Sequence, residues 1–129
     1  MSPKTTREIP AKHVHLHIDV DPETERFQYK AIYPGERTTL RHSDSITFRS
    51  NNPFTIQFDG ESPFTPNDTS FIAHLDSGEW ILPLHIRDNA EAKSYPYTVR
   101  LTTLGRTFEH EGQAVHVLQS DPEIILEQF

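Results

Sequence analysis

Residues 13–20 read His-Val-His-Leu-His-Ile-Asp-Val, and polar and apolar side chains alternate through this stretch without a break. A period of two residues is typical of a β-strand that buries one of its faces. We therefore expect the four apolar side chains to point into a core. The three histidines and Asp19 should share the outer face of the same strand.

The rest of the 129-residue chain repeats this strand pattern. Short alternating runs are separated by turn-forming residues, and the ten Pro and five Gly are spread along the sequence. Strands at intervals of roughly 8 to 12 residues are typical of a β-sandwich. The further predicted strands cover residues 27–33, 45–48, 54–58, 71–75, 80–86, 95–103, 107–110, 114–118 and 123–126. The sequence thus predicts one all-β domain over residues 13–129, preceded by a flexible N-terminal arm over residues 1–12.

Three predicted strands carry expectations about pairing. The strands at 45–48 and 54–58 are separated by the turn formers Ser-Asn-Asn-Pro, so we expect them to form a close pair. Pro83 lacks a backbone donor, which predicts an edge or a bulge in its strand. A final strand from Glu123 to Phe129 would offer a second edge. Such edges predict contact with a protein partner or with another copy of the chain.

Three segments in the middle of the chain resemble the cupredoxin family, which holds one copper ion in a Greek-key β-sandwich. Residues 40–48 are similar to a family run that ends in Val-Thr-Phe, with Ser43 in place of the usual turn glycine. Residues 52–59 resemble the strand of the first copper-binding histidine. Residues 95–99 resemble the aromatic strand that leads to the cysteine ligand. The resemblance implies a Greek-key, cupredoxin-like sandwich.

The places of the copper ligands are occupied by other residue types. Phe54 stands where the family has its first histidine, and Val99 stands where it has its cysteine. Residues 100–104 contain neither the second histidine nor the methionine of the family. A blue copper site needs a thiolate and two imidazoles, and this chain has no Cys at all. The resemblance therefore implies a copper-free domain with no electron transfer and no cofactor.

After Thr103 the chain continues with a part that the small copper carriers do not need, which we expect to add a C-terminal hairpin or strand. Its closing Asp121-Pro122 and β-branched run resemble copper-free cupredoxin-like domains of uncharacterised bacterial proteins. For those domains the resemblance implies a fold and no assigned activity.

The outer face of the first predicted strand is the best candidate for a metal site. His13, His15 and His17 lie at every second position, roughly 7 Å apart at Cα, and Asp19 continues the row. Imidazole and carboxylate groups of this kind bind Zn²⁺ or Cu²⁺. The alternative is that the four residues form only the solvated side of an amphipathic strand.

Charge and composition disfavour several classes of function. The formal charge of −7 disfavours binding to nucleic acid or to anionic membranes. The absence of Cys excludes disulfides, thiolate metal sites and Cys nucleophiles. The first residues lack the apolar core of a secretion signal and no later run is long enough to span a membrane, so we expect a cytoplasmic protein.

No catalytic motif is recognisable, and we expect no enzymatic activity. The longest irregular segment, residues 60–67, has Phe64 at its centre and could present a contact surface. The alternative is that Phe64 closes one end of the core. Two functional hypotheses follow: a module that acts through protein contacts, and a metal-binding protein that uses the histidine strand.

Overall fold

The computed structural model describes residues 6–8, 13–31, 39–40, 44–66, 68–118 and 124–126. Within these residues the chain forms strands and turns, and no helix is long and apolar enough to cross a membrane. The strands are, in chain order, β1 (Thr6–Glu8), β2 (His13–Asp21), β3 (Arg26–Ala31), β4 (Thr39–Leu40), β5 (Ser45–Ser50), β6 (Phe54–Phe58), β7 (Phe64–Thr65), β8 (Ser70–Ile72), β9 (His74–Asp76), β10 (Glu79–Ile86), β11 (Ser94–Thr103), β12 (Arg106–Val117) and β13 (Ile124–Leu126).

Two main sheets form a sandwich, as the sequence predicts. The six-stranded sheet has the order β3-β2-β5-β10, with β7 and β9 both on the far side of β10. The five-stranded sheet has the order β4-β12-β11-β6-β8. A separate two-stranded sheet joins β1 to β13. Strand β1 falls inside the predicted arm, whose other residues lie outside the described residues.

A single apolar core lies between the two main sheets. The burial pattern of β2 alternates along the strand, and its four apolar side chains are buried as predicted. The two sheets meet in the core, where the rings of Phe48 on β5 and Tyr97 on β11 lie 5.6 Å apart. The all-β sandwich is therefore confirmed.

The predicted close pair of β5 and β6 is wrong. Strand β5 lies between β2, to which it is parallel, and β10, whereas β6 lies between β11 and β8 in the other sheet. The turn-forming residues 51–53 carry the chain from one sheet to the other. Both strands point their apolar side chains into the same core. The alternation of apolar and polar residues along them is therefore the same as in two strands of a hairpin.

The prediction of an edge or a bulge at Pro83 is also wrong, because β10 has neighbours on both sides. It pairs with β5 over residues 80–85, with β9 over 79–81 and with β7 over 85–86. The Ile86 N–H points toward β5 and bonds to the Asp44 carbonyl. Because strand N–H groups alternate in direction, the ring nitrogen of Pro83 points to the gap between β9 and β7. The proline thus removes no ladder hydrogen bond.

Two tight turns and one bulge shape the ends and the surface of the sandwich. Ser77-Gly78 joins β9 to β10 and Leu104-Gly105 joins β11 to β12, and all four residues have positive φ angles. Such two-residue turns match the twist of antiparallel strands. In β12 the register shifts so that two residues, 111 and 112, lie opposite Thr98.

Candidate functional site

The predicted metal ligands lie on the outer face of β2, next to the outer face of β5. The two strands are parallel, with His13 beside Ser45 and His15 beside Thr47. Nδ1 of His13 is hydrogen-bonded to Oγ of Ser45, and its Nε2 lies 2.8 Å from Oγ1 of Thr47. Both ring nitrogens of His13 are therefore engaged by hydroxyl groups of the next strand.

His15 is engaged by a charged side chain. Nη1 of Arg49 donates to Nδ1 of His15 at 2.8 Å, and Nε and Nη2 of the same guanidinium donate to Oε1 of Glu79 at 3.1 and 2.7 Å. A ring nitrogen that accepts a hydrogen bond from a guanidinium points its lone pair at that cation. The lone pair of Nδ1 of His15 therefore points at Arg49 rather than at a metal ion.

The structure brings the rings of His13 and His15 into contact, with centroids 4.6 Å apart, but does not gather all four predicted ligands at one point. Nδ1 of His17 lies 3.8 Å from Oδ2 of Asp19, while His13 and His15 bond to β5. Within the described part of the chain, no group of three or more His, Cys, Asp or Glu side chains is placed to hold a metal ion. The metal hypothesis thus stays a prediction to which the geometry adds no support.

The electrostatic surroundings of this face act mainly on His13. Burial of its ring lowers the pKa of His13, and the charges of His15, His85 and Arg49 lower it further. The neutral imidazole is thus favoured, which suits its bonds to two hydroxyl groups. Chemically, this arrangement fastens β2 to β5.

The other four histidines of the described residues are exposed or hydrogen-bonded. His110 bonds through Nδ1 to the Tyr29 hydroxyl at 2.7 Å, and its ring stacks on Phe27. His116 bonds through Nδ1 to the hydroxyl of Ser94 at 2.6 Å. His74 and His85 are exposed.

Phe64 does not present a contact surface. Its side chain is fully buried and packs in edge-to-face geometry against Phe58 and Phe71, so the alternative that it closes the core is correct. A side chain from beyond the segment 60–67 also anchors it, because Nε and Nη2 of Arg87 both donate to the carbonyl of Ser62. This ring is therefore unavailable to a partner.

Phe54 and Val99, at the places that the resemblance assigns to copper ligands, both belong to the core. They are buried on the paired strands β6 and β11, where Val99 lies opposite Ile56. Apolar side chains therefore fill both places.

An open cleft of about 380 Å³ lies on the outer face of the five-stranded sheet, at the β12 bulge. Arg100 and Glu109 cross it as an ion pair with Nε and Oε2 2.6 Å apart. The bulge requires a glycine, because Gly112 has a φ of 102°. The polar side chains that line the cleft are Gln57, Asp59, Thr98, Arg100, Glu109 and Glu111.

Strand β8 is an open edge of the five-stranded sheet within the described residues. The carbonyl of Thr69 accepts a hydrogen bond from the N–H of Phe58, and the N–H of Ala73 donates to the carbonyl of Phe54. The backbone groups of the odd-numbered residues here therefore point toward β6. The N–H and C=O groups of Ser70 and Ile72 therefore point away from the sheet. These four groups form a short ladder that another strand could use.

The edge at β8 also exposes a large apolar side chain, because Ile72 is 74% exposed. Leu75, which is 58% exposed, lies on β9 in the other sheet. The predicted single strand at 71–75 is wrong, because the chain passes here from β8 in one sheet to β9 in the other. The sequence does indicate the exposed side chain, since Phe71 and Ile72 are consecutive and only one of them could face the core.

No protein-family model matches the sequence, and no curated protein matches it.

Proposed function

We propose that this domain binds another protein through the open edge at β8, by adding a strand of the partner to the five-stranded sheet. The observation that carries the proposal is that the backbone groups of Ser70 and Ile72 point away from β6, without a partner among the described residues, beside a largely exposed Ile72 side chain. In strand addition, main-chain hydrogen bonds supply affinity and side-chain contacts supply specificity.

The contrast with β3, one of the edges of the other sheet, supports this choice. Strand β3 carries the exposed polar side chains Arg26, Gln28 and Lys30 at every second position. Long charged side chains on an edge, lysine above all, discourage pairing with other chains. Strand β8 has no charged residue and exposes an isoleucine instead. Of these two edges, β8 is the one suited to pairing.

We also propose that the domain is a copper-free relative of the cupredoxins. The resemblance of the three segments supports this, together with the burial of Phe54 and Val99 in the core. A site filled in this way leaves the edges and outer faces of the sandwich for function. Such a domain would act by contact rather than by electron transfer.

The test is capture of proteins from a lysate of the source organism on the immobilised full chain, quantified by mass spectrometry. We design two variants: Ile72→Lys charges the exposed side chain, and Ser70→Pro removes an N–H that faces away from β6. The matched control is Leu104→Lys, because Leu104 is 80% exposed but lies in a tight turn. Circular dichroism verifies that all three variants are folded.

We expect a protein that the wild type and the control both retain to be lost with Ile72→Lys and with Ser70→Pro. Equal retention by all four proteins would refute the proposed edge. A wild-type chain that retains nothing above background would refute it as well.

A further inference from the structure

The part of the chain that builds the β8 edge is acidic. Residues 50–86 contain five Asp or Glu and no Lys or Arg, although the whole chain has twelve Lys and Arg. This stretch includes β6 to β10, and so supplies both β8 and the strand that β8 pairs with. The strands β6 and β8 themselves therefore bring no cationic side chain to the edge.

Two of these five carboxylates are already paired. Glu79 binds Arg49, and Glu61 binds Lys93. Asp59, Asp68 and Asp76 are exposed and, among the described residues, form no ion pair with Lys or Arg. These three carboxylates are thus open to a cation from outside, and Asp59 and Asp68 are the two beside the β6–β8 pair.

Asp59 and Asp68 lie at the same end of the β6–β8 pair. Asp59 follows Phe58, whose N–H bonds to the carbonyl of Thr69, and Asp68 precedes Thr69. Two carboxylates at one end of an edge strand favour a partner that brings Lys or Arg to that end.

A second copy of the chain fits this edge poorly. Two copies paired through β8 would each bring Asp59 and Asp68 to the contact, and residues 50–86 of each contain no Lys or Arg to bind them. The charge of −7 on each copy adds repulsion.

From these observations we infer that the occupant of the β8 edge is an extended basic segment of another protein, in which apolar residues alternate with Lys or Arg. An apolar side chain packs beside Ile72, and a cationic side chain reaches Asp59 and Asp68. The backbone of the segment bonds to Ser70 and Ile72. This inference rests on the proposed function and adds the chemistry of the partner.

The probe is a fluorescent peptide of four Lys-Val repeats, with a peptide of four Glu-Val repeats for comparison, titrated with the full chain and followed by anisotropy. The test variant is Asp59→Asn with Asp68→Asn. Because any acidic protein attracts lysine, the matched control is Glu23→Gln with Asp88→Asn, which removes the same charge from other exposed positions. Ser70→Pro tests the backbone contact.

We expect the Lys-Val peptide to bind and the Glu-Val peptide not to bind. The Asp59/Asp68 variant should bind about three- to tenfold more weakly than the matched control, as two exposed ion pairs would give. Ser70→Pro should abolish binding. Equal binding of both peptides, or equal affinities of the two double variants, would overturn the inference.

The failures of the two proposals differ. If Ile72→Lys and Ser70→Pro release a captured protein but the Asp59/Asp68 variant holds it as tightly as the control, the edge is right and the basic partner is wrong. If sedimentation shows a dimer that Ser70→Pro dissociates, the occupant is a second copy and the inference is overturned. If neither edge variant changes the capture, the proposed function itself falls.

Discussion

The buried hydroxyl of Tyr97 is an unusual feature at the scale of single residues. The side chain is 2% exposed, and its oxygen has no hydrogen-bond partner among the described residues. Burial raises the pKa of Tyr97. An unsatisfied buried polar group costs about 1 to 3 kcal/mol, so the hydroxyl should be a liability to folding.

We therefore expect Tyr97→Phe to raise the free energy of unfolding by about 1 kcal/mol in urea titrations. The control is Tyr29→Phe, which removes a hydroxyl that is hydrogen-bonded to His110. This control should lower the free energy of unfolding. If Tyr97→Phe lowers stability as Tyr29→Phe does, the Tyr97 hydroxyl has a partner in solution and the prediction is wrong.

Leu104 also carries a cost that a single substitution could remove. It has a φ of 53° and is 80% exposed, so it bears backbone strain with little burial in return. Leu104→Asn places a residue that such turns favour, and we expect a gain of about 1 kcal/mol. Gly105→Ala, at φ 74°, should have the opposite effect. Thermal melts of the two variants would check this, and a lower melting temperature for Leu104→Asn would contradict it.

At the scale of elements, the contact of β2 with β5 links stability to pH. The lowered pKa of His13 means that the unfolded chain, with an ordinary value of 6.5, binds more protons than the folded chain as the pH falls. Above pH 6.5 the neutral His13 ring contributes its full stabilisation. This stabilisation is lost as the pH falls through the lowered pKa of the folded state. Acidification should therefore weaken the hold of β2 on β5.

We expect the wild type to lose more stability between about pH 7.5 and pH 5 than His13→Gln does, in urea titrations at constant salt. An NMR titration of the His13 ring should give a midpoint below 6.5. Equal losses in the two proteins, or a midpoint above that value, would show that the folded state does not disfavour the charged ring.

Strand pairing was the level at which sequence analysis failed most clearly. The alternation in β5 and β6 shows which side chains are inside, but it is the same whether the two strands pair or face each other across a core. Pro83 shows the same limit. Because Pro83 has no N–H, the sequence predicts that its strand lacks a neighbour on one side. In the structure β10 has β9 and β7 on that side, and Pro83 lies at the gap between them.

At the scale of the whole molecule, charge and exposed apolar surface coincide. The acidic stretch 50–86 supplies β6 and β8 to the five-stranded sheet and β7, β9 and β10 to the other, and the edge strand β8 exposes Ile72. Arg26 and Lys30 lie on β3, one edge of the other sheet. The composition gives the net charge, but only the pairing order places the acidic stretch beside an open edge.

The sequence by itself determined the fold class and much of the core, because the alternation of side chains along a strand is a local property of the backbone. It also excluded every site that needs a thiolate, since the chain has no Cys. Only the tertiary structure decided which strands are neighbours, and therefore that His13 and His15 bond to β5, that Phe64 is buried, and that β8 is open. These outcomes depend on contacts between residues far apart in the chain, and the local periodicity of the sequence does not reveal such contacts.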